Sequence, residues 1–207
     1  MSDPRVEIVA RGYDAMAGRF AEWRDRIESD PRAEWAAELT AQLPEGADVL
    51  ELGCGGGTTE TRELASRFRL TGVDVSGEQI RRARASVPGA EFRQADFLEL
   101  VLPAGSFDAE CSVYVFNHVP RDRLGELVAR IAAWQRPGGL FLNAFGVSDL
   151  PGWTGEWLGS QTFFSSFEPP ENRRLVEAAG LTVLRDEVVT FVEPEGPASF
   201  QWILAHR

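Results

Sequence analysis

Glu51, Gly53, Gly55 and Gly57 stand at two-residue steps in VLELGCGGGTTETRELA, residues 49–65, between a short apolar run and a helical pattern. Glycine tolerates backbone angles and close approaches that other residues exclude, at a cost in chain entropy, so such a cluster marks main chain that a ligand must approach. A strand that ends in this kind of turn and opens a helix presents N–H groups at the carboxyl edge of a sheet, where open α/β folds bind ligands. The phosphate loop of nucleotide hydrolases needs Lys followed by Ser or Thr after its glycines, and no Lys follows here. The dinucleotide fingerprint begun at Gly53 needs glycine at position 58, where the chain has Thr58.

Other chemistry-bearing residues follow at the ends of later apolar runs. Asp74, in GVDVS, offers a carboxylate able to accept both hydroxyls of a ribose. Asp96, in QADF, has Phe97 beside it. His118, in Asn117-His118-Val119-Pro120, is the best-placed proton acceptor, and a structural hydrogen-bonding role competes with that reading. Cys54 reads as a small filler, because nothing nearby would lower its pKa. With two histidines and no cysteine cluster, no metal-ligand spacing is present.

Taken in order, Glu51, the G-x-G-x-G run, Asp74, Asp96 and Arg136-Pro137-Gly138-Gly139 resemble the landmarks of the class I S-adenosylmethionine-dependent methyltransferases over residues 44–207. The resemblance implies a Rossmann-like three-layer α/β/α sandwich, with N-terminal helices and a seven-stranded, mostly parallel sheet whose last strand is antiparallel. It implies S-adenosylmethionine as cofactor, held by Glu51, Gly53, Cys54, Gly55 and Gly57, by Asp74 and Val75, by Asp96 at the adenine amino group with Phe97, and by Ser112. On the acceptor side it implies Tyr13, from an N-terminal segment that closes over the site, and Asn117. The same side takes Trp153, Trp157, Phe163 and Phe164, from the segment before the last helix. An aromatic wall suits a planar or apolar acceptor and tolerates a cationic methyl donor.

The implied reaction is methyl transfer to a small molecule, an in-line displacement in which alignment and exclusion of water matter most and no protein nucleophile is needed. His118 is then the candidate base for a hydroxyl or protonated-amine acceptor. Ser112-Val113-Tyr114 replaces the D/N/S-P-P-Y/F turn that holds a flipped amino base, which argues against DNA and glutamine-nitrogen acceptors. The missing carboxylate at the end of the fourth strand argues against magnesium-dependent catechol chemistry. Two other readings stay open. One is a nicotinamide-dependent oxidoreductase, supported by Asp74 and weakened by Thr58 and by the lack of a Tyr-x-x-x-Lys pair. The other is a non-catalytic S-adenosylmethionine-binding protein on the same scaffold.

The elements that must position these residues are legible in the hydrophobic pattern. Val6, Val9, Tyr13, Met16, Phe20 and Trp23 form one helical stripe, started at Asp3-Pro4 and weakened or bent at Gly12 and Gly18. A second helix follows Asp30-Pro31, with Trp35, Leu39 and Leu43 on one face. Apolar runs at 49–52, 70–75, 91–95, 107–113 and 139–145 alternate with helical patterns at 58–68, 77–87 and 121–135, the signature of strand-helix units. Ser76 and Gln79 predict a capping box. Residues 146–169 read as an irregular lid or acceptor loop, longer than a connection needs. A helix over 170–179 ends at Gly180, and an antiparallel pair around EPEGP closes the sheet. One domain is expected over 1–207, with residues 1–43 as a helical cap.

Net charge is −11 over 207 residues, which disfavours nucleic acid and anionic membrane surfaces as partners. Two cysteines in apolar runs suit a reduced compartment, and the N-terminal stretch lacks a continuous apolar segment, so a cytoplasmic protein is expected. A monomer or homodimer is the expected state.

Overall fold

The computed structural model describes residues 3–207. Two helices come first, α1 (Pro4–Arg24) and α2 (Arg32–Ala41). Strand-helix units follow: β1 (Asp48–Leu52), α3 (Thr59–Arg67), β2 (Arg69–Asp74), α4 (Gly77–Ser86) and β3 (Glu91–Gln94). After β4 (Phe107–Ser112) and a 3₁₀ turn, Phe116–His118, come α5 (Arg121–Trp134) and β5 (Gln135–Gly146). The chain ends with β6 (Leu150–Trp157), β7 (Ser160–Ser166), α6 (Pro169–Ala178), β8 (Thr182–Glu193) and β9 (Gly196–His206).

Seven strands form one sheet in the order β3-β2-β1-β4-β5-β9-β8. Strands β1 to β5 pair in parallel, and β9 enters antiparallel between β5 and β8. Because strand side chains alternate, the sheet buries two faces. Leu50, Leu52 and Phe141 pack with Leu124, Leu127, Val128 and Ile131 of α5 and Val176 of α6. On the other face Val49, Leu70 and Leu142 pack with Trp35 and Leu39 of α2 and Leu64 of α3, where Trp35 stacks on Trp202 at 5.5 Å. This is the expected three-layer arrangement, and its order reverses beside β1, so the ends of β1 and β4 open a crevice for a ligand.

Several local expectations are corrected. Residues 146–169 are not an irregular loop: β6 and β7 form an antiparallel hairpin, with Trp153 opposite Phe164 and Trp157 opposite Ser160. Runs of β-branched residues do not mark it; cross-strand pairs such as Trp153 with Phe164, rings 5.8 Å apart, hold the two-stranded ribbon. Neither Gly12 nor Gly18 interrupts α1. Gly12 is instead a close approach, since a Cβ there would lie 2.3 Å from the Gln161 carbonyl oxygen of β7. The complete capping box belongs to α3, through Thr58 and Thr61, whereas Ser76 supplies only its own half, accepting from the Gln79 N–H. Helix α6 starts at Pro169, and Gly180 past its end has φ +84°, as expected for a left-handed cap.

Candidate active site: a glycine turn facing an aromatic wall

At the end of β1 the chain turns through Gly53 (φ +69°) and Gly55 (φ +53°). The two glycines serve different ends. A Cβ at Gly53 would lie 2.2 Å from Val115 Cγ2, so Gly53 lets the turn close onto the segment after β4. A Cβ at Gly55 would meet nothing within 4 Å, because Gly55 faces a cavity of about 280 Å³. Gly57 does not line that cavity: its Cβ would strike Ser86 Oγ at 2.5 Å, so it brings α4 against the turn.

Asp74, at the end of β2, holds the turn in place. Gly55 N–H donates to its Oδ2 at 3.0 Å and Ser76 N–H to its Oδ1 at 2.8 Å. Loss of solvent pushes the Asp74 carboxyl up to about 6, against the lowering effect of those two N–H donors. Glu51 accepts from Thr61 Oγ1 at 2.9 Å through Oε1, while its Oε2 is buried with no partner among the described residues. Burial pushes Glu51 up to about 7, opposed by Thr61 and by the Arg32 charge. Arg32 lines the same cavity; its Nη2 pairs with Asp30 at 2.8 Å, and its Nε is buried with no partner among the described residues. Asp96, whose Oδ1 accepts from Leu98 N–H at 2.9 Å, lines the cavity with Phe97 and Val75. Burial and the nearby carboxylates push the Cys54 thiol up, which keeps it protonated and inert.

Rings form the opposite wall. Trp157 of the hairpin sits 5.1 Å from Trp23 and 6.0 Å from Phe20 of α1, and 5.8 Å from Phe164. Tyr13 lies 5.1 Å from Phe20 and 5.2 Å from the His118 ring. His118 Nδ1 is 2.8 Å from the Phe163 carbonyl oxygen, an atom that only accepts, so Nδ1 carries the ring proton. Tyr13 Oη, 2.8 Å away, therefore donates to the bare Nε2. Burial pushes His118 down to about 4 and, with the charges of Asp74 and Glu193, pushes the Tyr13 hydroxyl up. The nitrogen that a direct base would use is thus already engaged by Tyr13.

Of the residues singled out from sequence, Tyr13, Glu51, Gly53, Cys54, Gly55 and Asp74 line the cavity, as do Val75, Asp96, Phe97, Asn117, His118, Trp157 and Phe164. Trp153 and Phe163 do not. Trp153 stands beside Phe164 on the same hairpin face, 5.8 Å away, but is 45% exposed beyond the cavity, and Phe163 is buried beneath the Arg5 guanidinium at 5.8 Å. Ser112 points to the sheet face opposite Cys111, which lines the cavity, so its buried hydroxyl does not reach it. Sequence reasoning missed Arg32 and Glu193 as cavity residues. Nothing local marks either one: α2 and the β8–β9 turn bring them in from opposite ends of the chain.

Comparison with known proteins agrees with this geometry. Residues 49–139 match a family model described as a methyltransferase domain. Over 116 residues, 54% of the chain, it is 33% identical to 2-methyl-6-phytyl-1,4-hydroquinone methyltransferase of Synechocystis sp., of which 35% is covered. The chain spans about half the length of the curated relatives it matches. Among solved structures, the DhpI–SAH complex superposes with TM-score 0.75 at 24% identity, covering 99% of this chain and 98% of that one. Magnesium protoporphyrin IX methyltransferase of Synechocystis PCC 6803, with bound SAM, gives 0.74 at 17% identity, covering 100% and 98%. Fold and matched segment agree: the chain has the fold of the class I S-adenosylmethionine-dependent methyltransferases, and its residues 49–139 match a methyltransferase domain.

Proposed function

We propose that this protein transfers a methyl group from S-adenosylmethionine to a small planar or apolar acceptor. One observation carries the reading: a single cavity is lined on one side by the glycine turn and its carboxylates, and on the other by Tyr13, Phe20, Trp23, Trp157 and Phe164. Relatives named for a phytyl hydroquinone, trans-aconitate and a fatty acid point to small acceptors of varied shape.

The donor set fits the cofactor. Glu51 Oε2, buried and unpartnered, is an acceptor for the ammonium of an amino acid, and Arg32 suits its carboxylate. Gly55 leaves room for a ligand against bare main chain. Asp74 keeps lone pairs for ribose hydroxyls beyond the two N–H donors it already accepts, and Asp96 and Phe97 would hold the adenine. When bound, S-adenosylmethionine supplies an electrophilic methyl group on a sulfonium centre. The chain's own work is to fix the line of approach and to exclude water with its wall of rings.

Isothermal titration of the purified protein with S-adenosylmethionine, S-adenosylhomocysteine and NAD tests the reading. Binding of both sulfur ligands is expected, and binding of NAD alone would reject it. Binding without methylated product across a broad acceptor panel would favour a non-catalytic scaffold.

A further inference from the structure

Two hydrogen bonds at the acceptor end of the cavity have one interpretation in common. His118 donates from Nδ1 to the Phe163 carbonyl of β7, and its Nε2 accepts from Tyr13 Oη, both at 2.8 Å. The Tyr13 proton is therefore committed to His118, and the remaining lone pair of Tyr13 Oη is left to accept from something else. Tyr13 and His118 both line the cavity beside Phe20, Trp157 and Phe164. The next residue on α1, Asp14, accepts from Ser76 Oγ at 2.6 Å and from Glu78 N–H at 3.0 Å, which locks this part of the helix beside the end of β2 and Asp74.

We propose that Tyr13 is a catalytic residue for an aromatic hydroxyl acceptor, taking the acceptor's proton on Oη while its own proton passes to His118 Nε2. The inference rests on the methyltransferase reading and deepens it by naming the reacting atom. In balance, the methyl carbon–sulfur bond breaks and the methyl carbon–oxygen bond forms. The acceptor's proton goes to Tyr13, the Tyr13 proton goes to His118, and the positive charge of the sulfonium reappears on the imidazolium. Solvent takes that proton when the product leaves. A weak base suffices, because an oxygen acquiring a third bond is a far stronger acid than imidazolium. His118 acts through Tyr13 and is a positioning residue and proton sink. The adjacent rings suit a planar acceptor whose hydroxyl points at Tyr13.

The chain has two histidines and two tyrosines, so spectra of protein labelled with 15N-histidine are simple to assign. Nδ1 of His118 is expected to be protonated and Nε2 bare, with the Nε2 resonance shifting in Tyr13→Phe; a protonated Nε2 overturns the relay. The second arm compares methylation of a panel of substituted phenols with matched thiophenols. Thiophenols are ionised near neutrality and need no base. In Tyr13→Phe and His118→Gln the phenol-to-thiophenol ratio of kcat is expected to fall by about 100-fold or more, with KM for phenols little changed. A ratio within threefold of the wild type, or a wild-type protein that binds S-adenosylhomocysteine but methylates no phenol, overturns the proposal. Wild-type protein that binds no S-adenosylhomocysteine rejects the methyltransferase reading itself, and this relay with it.

Discussion

Asp74 carries two hydrogen bonds from the main chain on its own, so its removal disturbs both the ligand site and the turn that frames it. Asp74→Ala is expected to weaken S-adenosylhomocysteine binding by at least about fivefold, or about 1 kcal/mol, as measured by calorimetry. Its carboxyl sits near 6 and that of Glu51 near 7, so both accept hydrogen bonds fully only above those values. Affinity should therefore rise between pH 5 and pH 8, and a flat profile would contradict their roles. Glu110 lies in the opposite half of the core, buried on β4 and accepting from Asn143 Nδ2 at 2.8 Å. Burial lifts it to about 8, above its ordinary value of 4.5. The folded state thus holds this proton more tightly than the unfolded chain. Its stabilising effect is full below pH 4.5 and lost as pH rises through 8. Glu110→Gln keeps the hydrogen bond and removes the ionisation, so the variant should melt higher than wild type at pH 9, by about 3 °C or more, with the gap closing at pH 5.

At the scale of elements, α1 acts as the clamp between the glycine turn and the wall of rings. Asp14 ties it to the start of α4, Gly12 seats it on β7, and the Arg19 guanidinium donates to the Leu158 carbonyl and to Ser160 Oγ in the hairpin turn. Trp23 Nε1 donates to the Glu195 carboxylate at 2.8 Å, so the β8–β9 turn closes the same side. Gly12→Ala puts a methyl group against a carbonyl oxygen that cannot recede without moving β7. It should destabilise the fold by about 1–3 kcal/mol, read by denaturant unfolding. Acceptor turnover should fall further than S-adenosylhomocysteine affinity, because the rings move while the glycine turn stays. Equal loss of both would contradict this division of labour.

At the scale of the whole molecule, the sheet order sets the crevice, and the chain's two ends supply its cover. A ligand bound there stabilises the folded state by mass action, by about 2.7 kcal/mol at 100 times its Kd. Melting temperature should rise with S-adenosylhomocysteine and stay fixed with NAD. The sequence by itself determined the strand-helix alternation, the glycine turn and the aspartates at two strand ends, because each is a local pattern: period, turn chemistry, or a residue at a fixed offset from a strand end. Only the tertiary structure decided what lies opposite the turn. Tyr13 meets His118 across 105 residues, and Arg32 and Glu193 face one cavity from different helices and turns. Trp153 and Trp157 share one face of the hairpin with Phe164, and their place along the ribbon decides which ring meets α1 at the cavity, Trp157, and which stays exposed, Trp153. Such partnerships arise from packing between elements distant in sequence, which no local spacing encodes.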